Sequence, residues 1–148
     1  MISVIPLTEE HIKMLVDPIT EPGIKAMVDD TVQYWSSIIS SGTAFAGFDG
    51  DLFIGCAGYA IRWKGVCEVW FWANPSVHKR PVGTHKVISR ALRYLENDLK
   101  MHRISCEVRK GNDRAVRWVT LLGFKYETTM RKRGPDKSDF LLYSRTEG

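Results

Sequence analysis

The chain has 148 residues, of which 44% are hydrophobic and 26% are charged, and its formal net charge is +4. This size predicts one domain over residues 1–148 with one hydrophobic core, and the residue balance excludes a disordered or repetitive chain. No apolar stretch approaches the roughly 20 residues of a membrane span. The N-terminus turns acidic at Glu9 and Glu10, unlike a signal peptide. We therefore expect a cytoplasmic protein without a membrane partner.

The first half of the chain alternates helical and strand patterns. Thr8 is a predicted helix cap followed by acidic residues, and a later apolar stripe recurs at helical spacing up to Ile39. Gly50 and Gly65 mark turns between strands. The predicted elements are a strand over residues 2–7, helices over 8–15 and 24–39, and strands over 43–48, 52–63 and 66–74.

The second half contains two helices among four strand-like segments. Asn112 is a predicted N-cap and Gly123 a predicted helix stop. The predicted elements are a helix after Gly83 that extends to residue 99, a strand over 103–109, a helix over 112–122, and strands over 124–131 and 140–144. The order β α α β β β α β α β β predicts a mixed α/β domain with right-handed crossovers.

The cysteines and histidines do not form a metal-binding pattern. Cys56, Cys67 and Cys106 each lie within an apolar run and lack the close spacing of a zinc site. We expect them to be buried thiols in a reducing compartment. The four histidines are scattered along the chain, so no metal cofactor is expected.

The first candidate site is the passage from a strand to the long helix, over residues 68–86. A helix N-terminus presents unpaired backbone N–H groups and a partial positive charge, and Gly83 leaves room beside the backbone. Lys79, Arg80, His85 and Lys86 add positive charge. This pattern is compatible with an anion site and equally with an ordinary helix start.

The second candidate segment extends from Glu107 to Phe124. It reads Glu-Val-Arg-x-x-Asn-x-x-Ala, followed after seven residues by Gly-Phe, and so describes a strand, a tight turn, a capped helix and a return to the sheet. Together with Arg80-x-x-Gly83, it resembles the GNAT acetyltransferases, especially the branch that acetylates protein N-termini, including ribosomal proteins. Short phage virion-associated proteins show a weaker likeness.

The resemblance implies the GNAT fold and acetyl-coenzyme A (acetyl-CoA) as co-substrate. In that family two neighbouring strands splay apart around the pantetheine arm, a loop wraps the pyrophosphate, and an asparagine contacts the arm from the far side. The residues of this chain that would bind acetyl-CoA are Phe71, Trp72, Ala73, Arg80, Val82, Gly83, Thr84, His85 and Asn112.

Three positions depart from the family pattern. His85 stands where the family has Gly or Ala, Pro81 lacks an N–H in the loop, and Val119 replaces a tyrosine that serves many members as general acid. A GNAT-shaped protein that has lost turnover and serves as a structural module, for example in a virus particle, therefore remains an alternative.

Direct acetyl transfer requires a neutral amine, so a base must remove a proton, while an acid can protonate the departing thiolate. The resemblance implies Glu107 as the first choice for the base. Glu68 is the second, because Trp70 and Trp72 on the same strand face would raise its pKa. Either carboxylate is also compatible with a plain ion pair. Tyr143 is the candidate acid, with a packing role as the alternative.

We expect an acetyl-CoA-dependent N-acetyltransferase that acts on a primary amine, either a protein N-terminus or a small amine. Residues 17–24 and 131–139, which shape the acceptor groove in this fold, contain no motif. The run Arg131-Lys132-Arg133 suits an acidic acceptor and is equally compatible with a solvated turn. A nucleic-acid binder, suggested by a pI of about 9.0, is a further alternative, although the tryptophans are not interleaved with the basic clusters. A homodimer is left open.

Overall fold

A computed structural model describes residues 1–16 and 32–146. The described order of elements confirms the predicted mixed α/β fold, and the part of the predicted second helix before Val32 lies outside the described residues. The elements are β1 (Ile2–Pro6), α1 (Glu9–Val16), α2 (Val32–Ser41), β2 (Ala44–Asp49), β3 (Leu52–Trp63), β4 (Val66–Ala73), a 3₁₀ helix (Pro75–Lys79), α3 (Pro81–Asn97), β5 (Arg103–Arg109), α4 (Asp113–Leu121), β6 (Lys125–Met130) and β7 (Phe140–Arg145).

The seven strands form one mixed sheet in the order β1-β2-β3-β4-β5-β7-β6. Strands β1 and β2, β2 and β3, β5 and β7, and β6 and β7 pair antiparallel. Strand β4 pairs parallel with β5, through Val66↔Arg103, Cys67↔Ile104 and Glu68↔Ser105. None of the described helices is long and apolar enough to cross a membrane.

The chain divides into two compact units. The first contains Met1–Tyr59 and Trp70–Ile88, and the second contains Ala60–Val69 and Ser89–Gly148. Strands β3 and β4 and helix α3 contribute residues to both units. One domain over residues 1–148 stays a prediction.

The core of the first unit forms between α1 and the first strands. Ile12 and Leu15 are three residues apart on α1 and share its buried face. Helix α1 begins as predicted, because Thr8 precedes it and the Thr8 N–H donates to His11 Nδ1 at 3.0 Å. The buried residues of this cluster are Leu7, Ile12, Leu15, Ala44, Ala46, Phe53 and Cys56.

The core of the second unit forms around β5. The predicted alternation on this strand is confirmed on one face, where Ile104, Cys106 and Val108 are buried. On the other face Glu107 is exposed, whereas Ser105 and its partner on β7, Ser144, are both buried. The other buried apolar side chains of this unit include Leu92, Leu95, Met101, Val119, Leu122, Phe124, Phe140 and Tyr143.

Candidate functional site

The 3₁₀ helix that follows β4 is anchored to the end of β3. The Asn74 backbone N–H donates to the carbonyl oxygen of Ile54 at 2.8 Å. Its side-chain amide donates to Ser76 Oγ at 2.7 Å and to the carbonyl oxygen of Phe53 at 3.3 Å. The Ser76 hydroxyl donates to the same Phe53 oxygen. These bonds fix the start of the segment that leads into helix α3.

Helix α3 begins at Pro81, two residues before the predicted boundary at Gly83. The reason is that the fixed φ of proline suits the first helical position. Thr84 makes the first helical bond of α3, to the carbonyl oxygen of Arg80 at 3.0 Å. Because a first-turn N–H has no partner inside the helix, Pro81 removes no helical bond, and the Val82 and Gly83 N–H groups remain as donors.

Gly83 allows helix α3 to pack closely against β1. A Cβ atom built at this position would lie 3.2 Å from Ile2 Cδ1. The space that a side chain at Gly83 would fill therefore faces β1. The predicted room for a phosphate beside Gly83 does not lie on this side of the backbone. The Gly83 N–H remains part of the candidate anion site.

The motif arginine of this segment is ion-paired. Arg80 Nε donates to Asp49 Oδ2, and Arg80 Nη1 donates to the Lys79 carbonyl oxygen at 2.9 Å. The other Asp49 oxygen, Oδ1, lies 3.2 Å from the N-terminal amine of Met1. The hydrogen bond from Arg80, followed by that from the N-terminal amine, lowers the pKa of Asp49. Asp49 therefore partly neutralises the positive charge at the start of α3, a contact that no sequence motif signals.

Thr84 and His85 occupy the rest of the predicted loop motif. Thr84 is 4% exposed. Its hydroxyl is buried and has no hydrogen-bond partner among the residues that the structure describes. His85 is half-buried in the second turn of α3. A buried hydroxyl without a partner is unfavourable by roughly 1–3 kcal/mol, so Thr84 has a donor and acceptor to offer.

The predicted pantetheine-binding residues Phe71, Trp72 and Ala73 are half-buried at the end of β4. Gly55 of β3 lies so close that a Cβ there would be 2.5 Å from the Trp72 carbonyl oxygen. Trp70 and Trp72 pack against the core of the first unit, with ring centroids 6.3 Å apart in an edge-on arrangement. The two rings are therefore partly buried and cover the core of this unit.

The two candidate bases lie on the same face of the sheet. Glu68 is paired with Ser105, and Glu107 stands two residues beyond Ser105 on the same strand. Glu68 accepts hydrogen bonds from Arg62 at 3.1 and 3.2 Å, and its side chain is 42% exposed. Its surroundings are thus polar and solvated, instead of the apolar setting that the sequence predicts.

Glu107 is also ion-paired, with a residue that follows β6. Arg133 Nε lies 2.9 Å from Glu107 Oε1, and its Nη2 lies 3.4 Å from Oε2. The Glu107 side chain is 29% exposed. In the sequence Arg133 is visible only as part of a basic run, because 26 residues separate it from its partner.

Tyr143 and Glu107 project from opposite faces of the sheet. Tyr143 is paired with Cys106, whereas Glu107 is paired with Leu142. Tyr143 is 7% exposed, and its ring packs edge-on against Tyr126 with centroids 5.8 Å apart. The structure therefore does not bring the candidate acid and the first candidate base together, and the packing role is the one it supports for Tyr143.

Helix α4 begins as the motif predicts. Asn112 Oδ1 accepts a hydrogen bond from the Ala115 N–H at 3.2 Å, which confirms the predicted N-cap. Because the oxygen makes the cap, the amide NH₂ of Asn112 remains as a donor. Val119 is buried on this helix. Gly123 ends it with a φ of 93°, as predicted from its tolerance of the left-handed region.

The cysteines are buried, as predicted. Burial raises the pKa of Cys56 and Cys106 to about 12 and that of Cys67 to about 11. These thiols therefore stay protonated at neutral pH and are poor nucleophiles. In the described ranges 1–16 and 32–146, no three His, Cys, Asp or Glu side chains come together as metal ligands.

Comparisons with known proteins agree on one family. The model of the acetyltransferase (GNAT) family matches residues 9–124. A chimera of the spermidine N-acetyltransferase SpeG from Vibrio cholerae and hSSAT has a TM-score of 0.74 at 17% identity, covering 98% of this chain and 95% of that one. A SpeG mutant from Vibrio cholerae has a TM-score of 0.69 at 17% identity, covering 97% and 94%. The sequence has no significant match among curated proteins. At these identities the solved structures show likeness of fold.

Proposed function

Because the chain belongs to the GNAT acetyltransferase family, we propose that it binds acetyl-CoA through the start of α3 and strand β4. It then transfers the acetyl group to a protein N-terminus or a small amine. The family, the fold and the N-acetyltransferase class predicted from the sequence are confirmed. Acetyl-CoA is the co-substrate of this family, and an amine is the acceptor. The choice between the two acceptor classes belongs to the proposal.

The observation that carries the proposal is the geometry at the start of α3. Two backbone N–H groups, of Val82 and Gly83, are free of helical bonds and lie at the positive end of a 17-residue helix. Arg80 lies two residues before Val82, and its side chain is 45% exposed. Backbone donors, a helix dipole and a guanidinium together suit a diphosphate.

The residues present fit acetyl-CoA at this site. Besides the backbone donors, the Thr84 hydroxyl is a buried polar group without a partner in the described part of the chain. Phe71, Trp72 and Ala73 follow the three residues of β4 that pair with β5, and their backbone would orient the pantetheine arm. When bound, acetyl-CoA supplies an activated acetyl group as a thioester. His85 and Asn112 complete the proposed binding residues.

Glu107 is the proposed base. A carboxylate accepts the proton that an ammonium must lose before its nitrogen can attack. Arg133 holds Glu107 in one orientation at 2.9 Å on the exposed side of β5. Glu68, on the same face, is the second candidate for this role. We assign no acid to the departing thiolate, because Tyr143 projects from the other face.

Thermal unfolding with acetyl-CoA tests the binding proposal. A ligand at a hundred times its Kd stabilises a protein by about 2.7 kcal/mol, which in a domain of this size is about 5–10 °C in Tm. We expect Arg80→Gln to reduce this shift. Arg90→Gln, an exposed arginine on the same helix, is the matched control and should leave the shift unchanged.

Release of coenzyme A thiol in the presence of a pool of peptide and small amines tests the transfer step. Thiol release that depends on an added amine would support the proposal. A protein that is not stabilised by millimolar acetyl-CoA would overturn it. Stabilisation without turnover would instead indicate the structural module. The cytoplasmic location and the homodimer stay predictions.

A further inference from the structure

The segment between β6 and β7, residues 131–139, is fixed against the end of β5. Arg133 contacts Glu107 at 2.9 Å, and Arg109 donates to Asp136 at 2.8 Å. The Lys110 N–H donates to the carbonyl oxygen of Asp139 at 2.9 Å. The segment therefore lies beside the proposed base, where the amine of an acceptor has to be deprotonated.

The segment has a defined conformation. The Gly134 N–H donates to the carbonyl oxygen of Ser138 at 3.0 Å, and the Lys137 N–H donates to that of Gly134 at 2.9 Å. Asp139 Oδ1 accepts from the Lys132 N–H at 3.0 Å. Lys132 and Lys137 have φ values of 55° and 65°, which are uncommon for residues other than glycine. Two lysines are thus held in fixed places despite an unfavourable backbone.

The charge of this surface is unbalanced. Residues 107–110 and 131–139 contain six basic and three acidic side chains. Each acidic side chain is already engaged within the surface, by Arg133, by Arg109 and by the Lys132 N–H. Four exposed cations have no carboxylate partner among the residues the structure describes, namely Lys110, Arg131, Lys132 and Lys137.

We propose that this surface, residues 107–110 and 131–139, selects an acceptor amine that carries carboxylates, as in a peptide with acidic residues next to its N-terminus. The proposal rests on the proposed function and names its acceptor. Arg131 and Lys132 line a depression of about 480 Å³ that offers space for such side chains. A polyamine would bring further positive charge to a surface that already has an excess, so spermidine is a poor acceptor here.

The composition of this surface favours a peptide over a nucleic acid. Neither residues 107–110 nor residues 131–139 contain a Phe, Tyr or Trp. Proteins that bind single-stranded nucleic acids stack bases on aromatic side chains. A carboxylate requires only positive charge and hydrogen-bond donors, which this surface has.

Three peptides that differ only in charge test the proposal. Each begins with serine, and the next two residues are acidic, amide-bearing or lysine; free aspartate and spermidine are added as small amines. We expect kcat/KM for the acidic peptide to exceed that for the amide peptide about tenfold at low salt, since each exposed ion pair contributes up to about fivefold. The preference should shrink in 0.5 M NaCl because salt screens exposed charges.

A pair of charge reversals at the two ends of β6 locates the effect. Arg131→Glu should lower kcat/KM for the acidic peptide about five- to tenfold and leave the KM for acetyl-CoA unchanged. Lys125→Glu makes the same change in net charge on an exposed residue outside this surface and should change neither. Lys132→Asn removes a further charge with a residue that tolerates a positive φ, and should act like Arg131→Glu.

The outcomes separate this proposal from the proposed function. Turnover with equal rates for all three peptides, or fastest turnover with spermidine, would overturn the acidic acceptor and leave the acetyltransferase intact. A rise in the KM for acetyl-CoA in Arg131→Glu would assign the surface to the cofactor instead. Salt-sensitive binding of a single-stranded oligonucleotide that Arg131→Glu abolishes, without peptide preference, would also overturn it. No turnover with any amine contradicts the proposed function itself.

Discussion

Arg80 directly precedes helix α3, whose first turn has two free N–H groups, and its guanidinium contacts Asp49. The pKa of Asp49 is lowered by this contact, so the carboxylate is charged at neutral pH. An anion beside the proposed phosphate site repels the phosphates of acetyl-CoA and competes for Arg80. We therefore expect the strength of cofactor binding to depend partly on Asp49, a residue outside any motif.

We predict that Asp49→Asn lowers the KM for acetyl-CoA about two- to fivefold, because it releases Arg80 and removes the repulsion. Steady-state kinetics at a saturating amine concentration would measure the change. Asp51→Asn, an exposed aspartate in the adjacent turn, removes the same charge without touching Arg80 and should have little effect. If Asp49→Asn raised the KM instead, Asp49 would serve to position Arg80.

The candidate bases also have partners that no sequence motif indicates. The sequence predicts Glu68 on a strand, here β4, and Glu107 on the polar side of β5, and the structure agrees with both placements. The sequence does not predict the partners of these two carboxylates, because Arg133 is 26 residues from Glu107 and Arg62 contacts Glu68 across a turn. Local patterns carry no information about such pairings, so the expected apolar setting of Glu68 was wrong.

At the start of helix α4 one side chain, that of Asn112, has both a structural role and a proposed binding role. Asn112 Oδ1 caps the helix at 3.2 Å from the Ala115 N–H, while its NH₂ group is the donor proposed to contact acetyl-CoA. The oxygen and the nitrogen can be tested separately, because Asp retains the capping oxygen and lacks the amide donor.

We predict that Asn112→Ala lowers the free energy of unfolding by about 1 kcal/mol through loss of the cap. Asn112→Asp should keep the stability of the native protein, since its carboxylate caps the helix and favours the helix dipole. It should nevertheless raise the KM for acetyl-CoA severalfold, because a donor is replaced by a negative charge. Urea unfolding and steady-state kinetics measure the two quantities. Equal KM values in Asn112→Asp and the native protein would remove Asn112 from the binding residues.

Elements with strong local signals were predictable from the sequence. The cap at Asn112 and the stop at Gly123 stand where predicted, and helix α1 begins directly after Thr8. The start of α3 and the 3₁₀ helix were not predictable in the same way. Glycine has a low helix propensity, yet Gly83 lies inside α3, where it packs against Ile2. Its role depends on a strand that is distant in sequence, which propensity cannot supply.

At the scale of the whole molecule, stability depends on contacts that titrate in acid. His11 Nδ1 accepts the Thr8 N–H at 3.0 Å, as the third helical residue of a capping box does, and burial lowers its pKa. Glu127 accepts hydrogen bonds from Arg103 at 2.7 and 2.9 Å and from Ser144, which lower its pKa to about 2. Both groups bind fewer protons in the folded state than in the unfolded state.

The sign of the pH dependence follows from these two shifts. The contribution of His11 is complete above its ordinary pKa of about 6.5 and is lost as the pH falls through its lowered folded value. The contribution of Glu127 is complete above about 4.5 and is lost as the pH falls toward 2. Stability therefore rises with pH wherever the unfolded state binds more protons, and acid should weaken the fold in two stages.

We predict that the urea midpoint is constant from pH 8 to about 6.5, falls in a first stage below it, and falls again below about pH 4.5. His11→Gln keeps an acceptor for the Thr8 N–H, at the position where a capping box has Glu or Gln. Glutamine has no group that titrates below about pH 6.5, so the first stage should vanish. Glu127→Gln should make the second stage smaller, leaving the part that comes from Asp49 and Asp136, whose pKa values are also lowered, and should keep the first. If the His11→Gln profile between pH 7 and 5 superposed on that of the native protein, the decline there would have another origin than the start of helix α1.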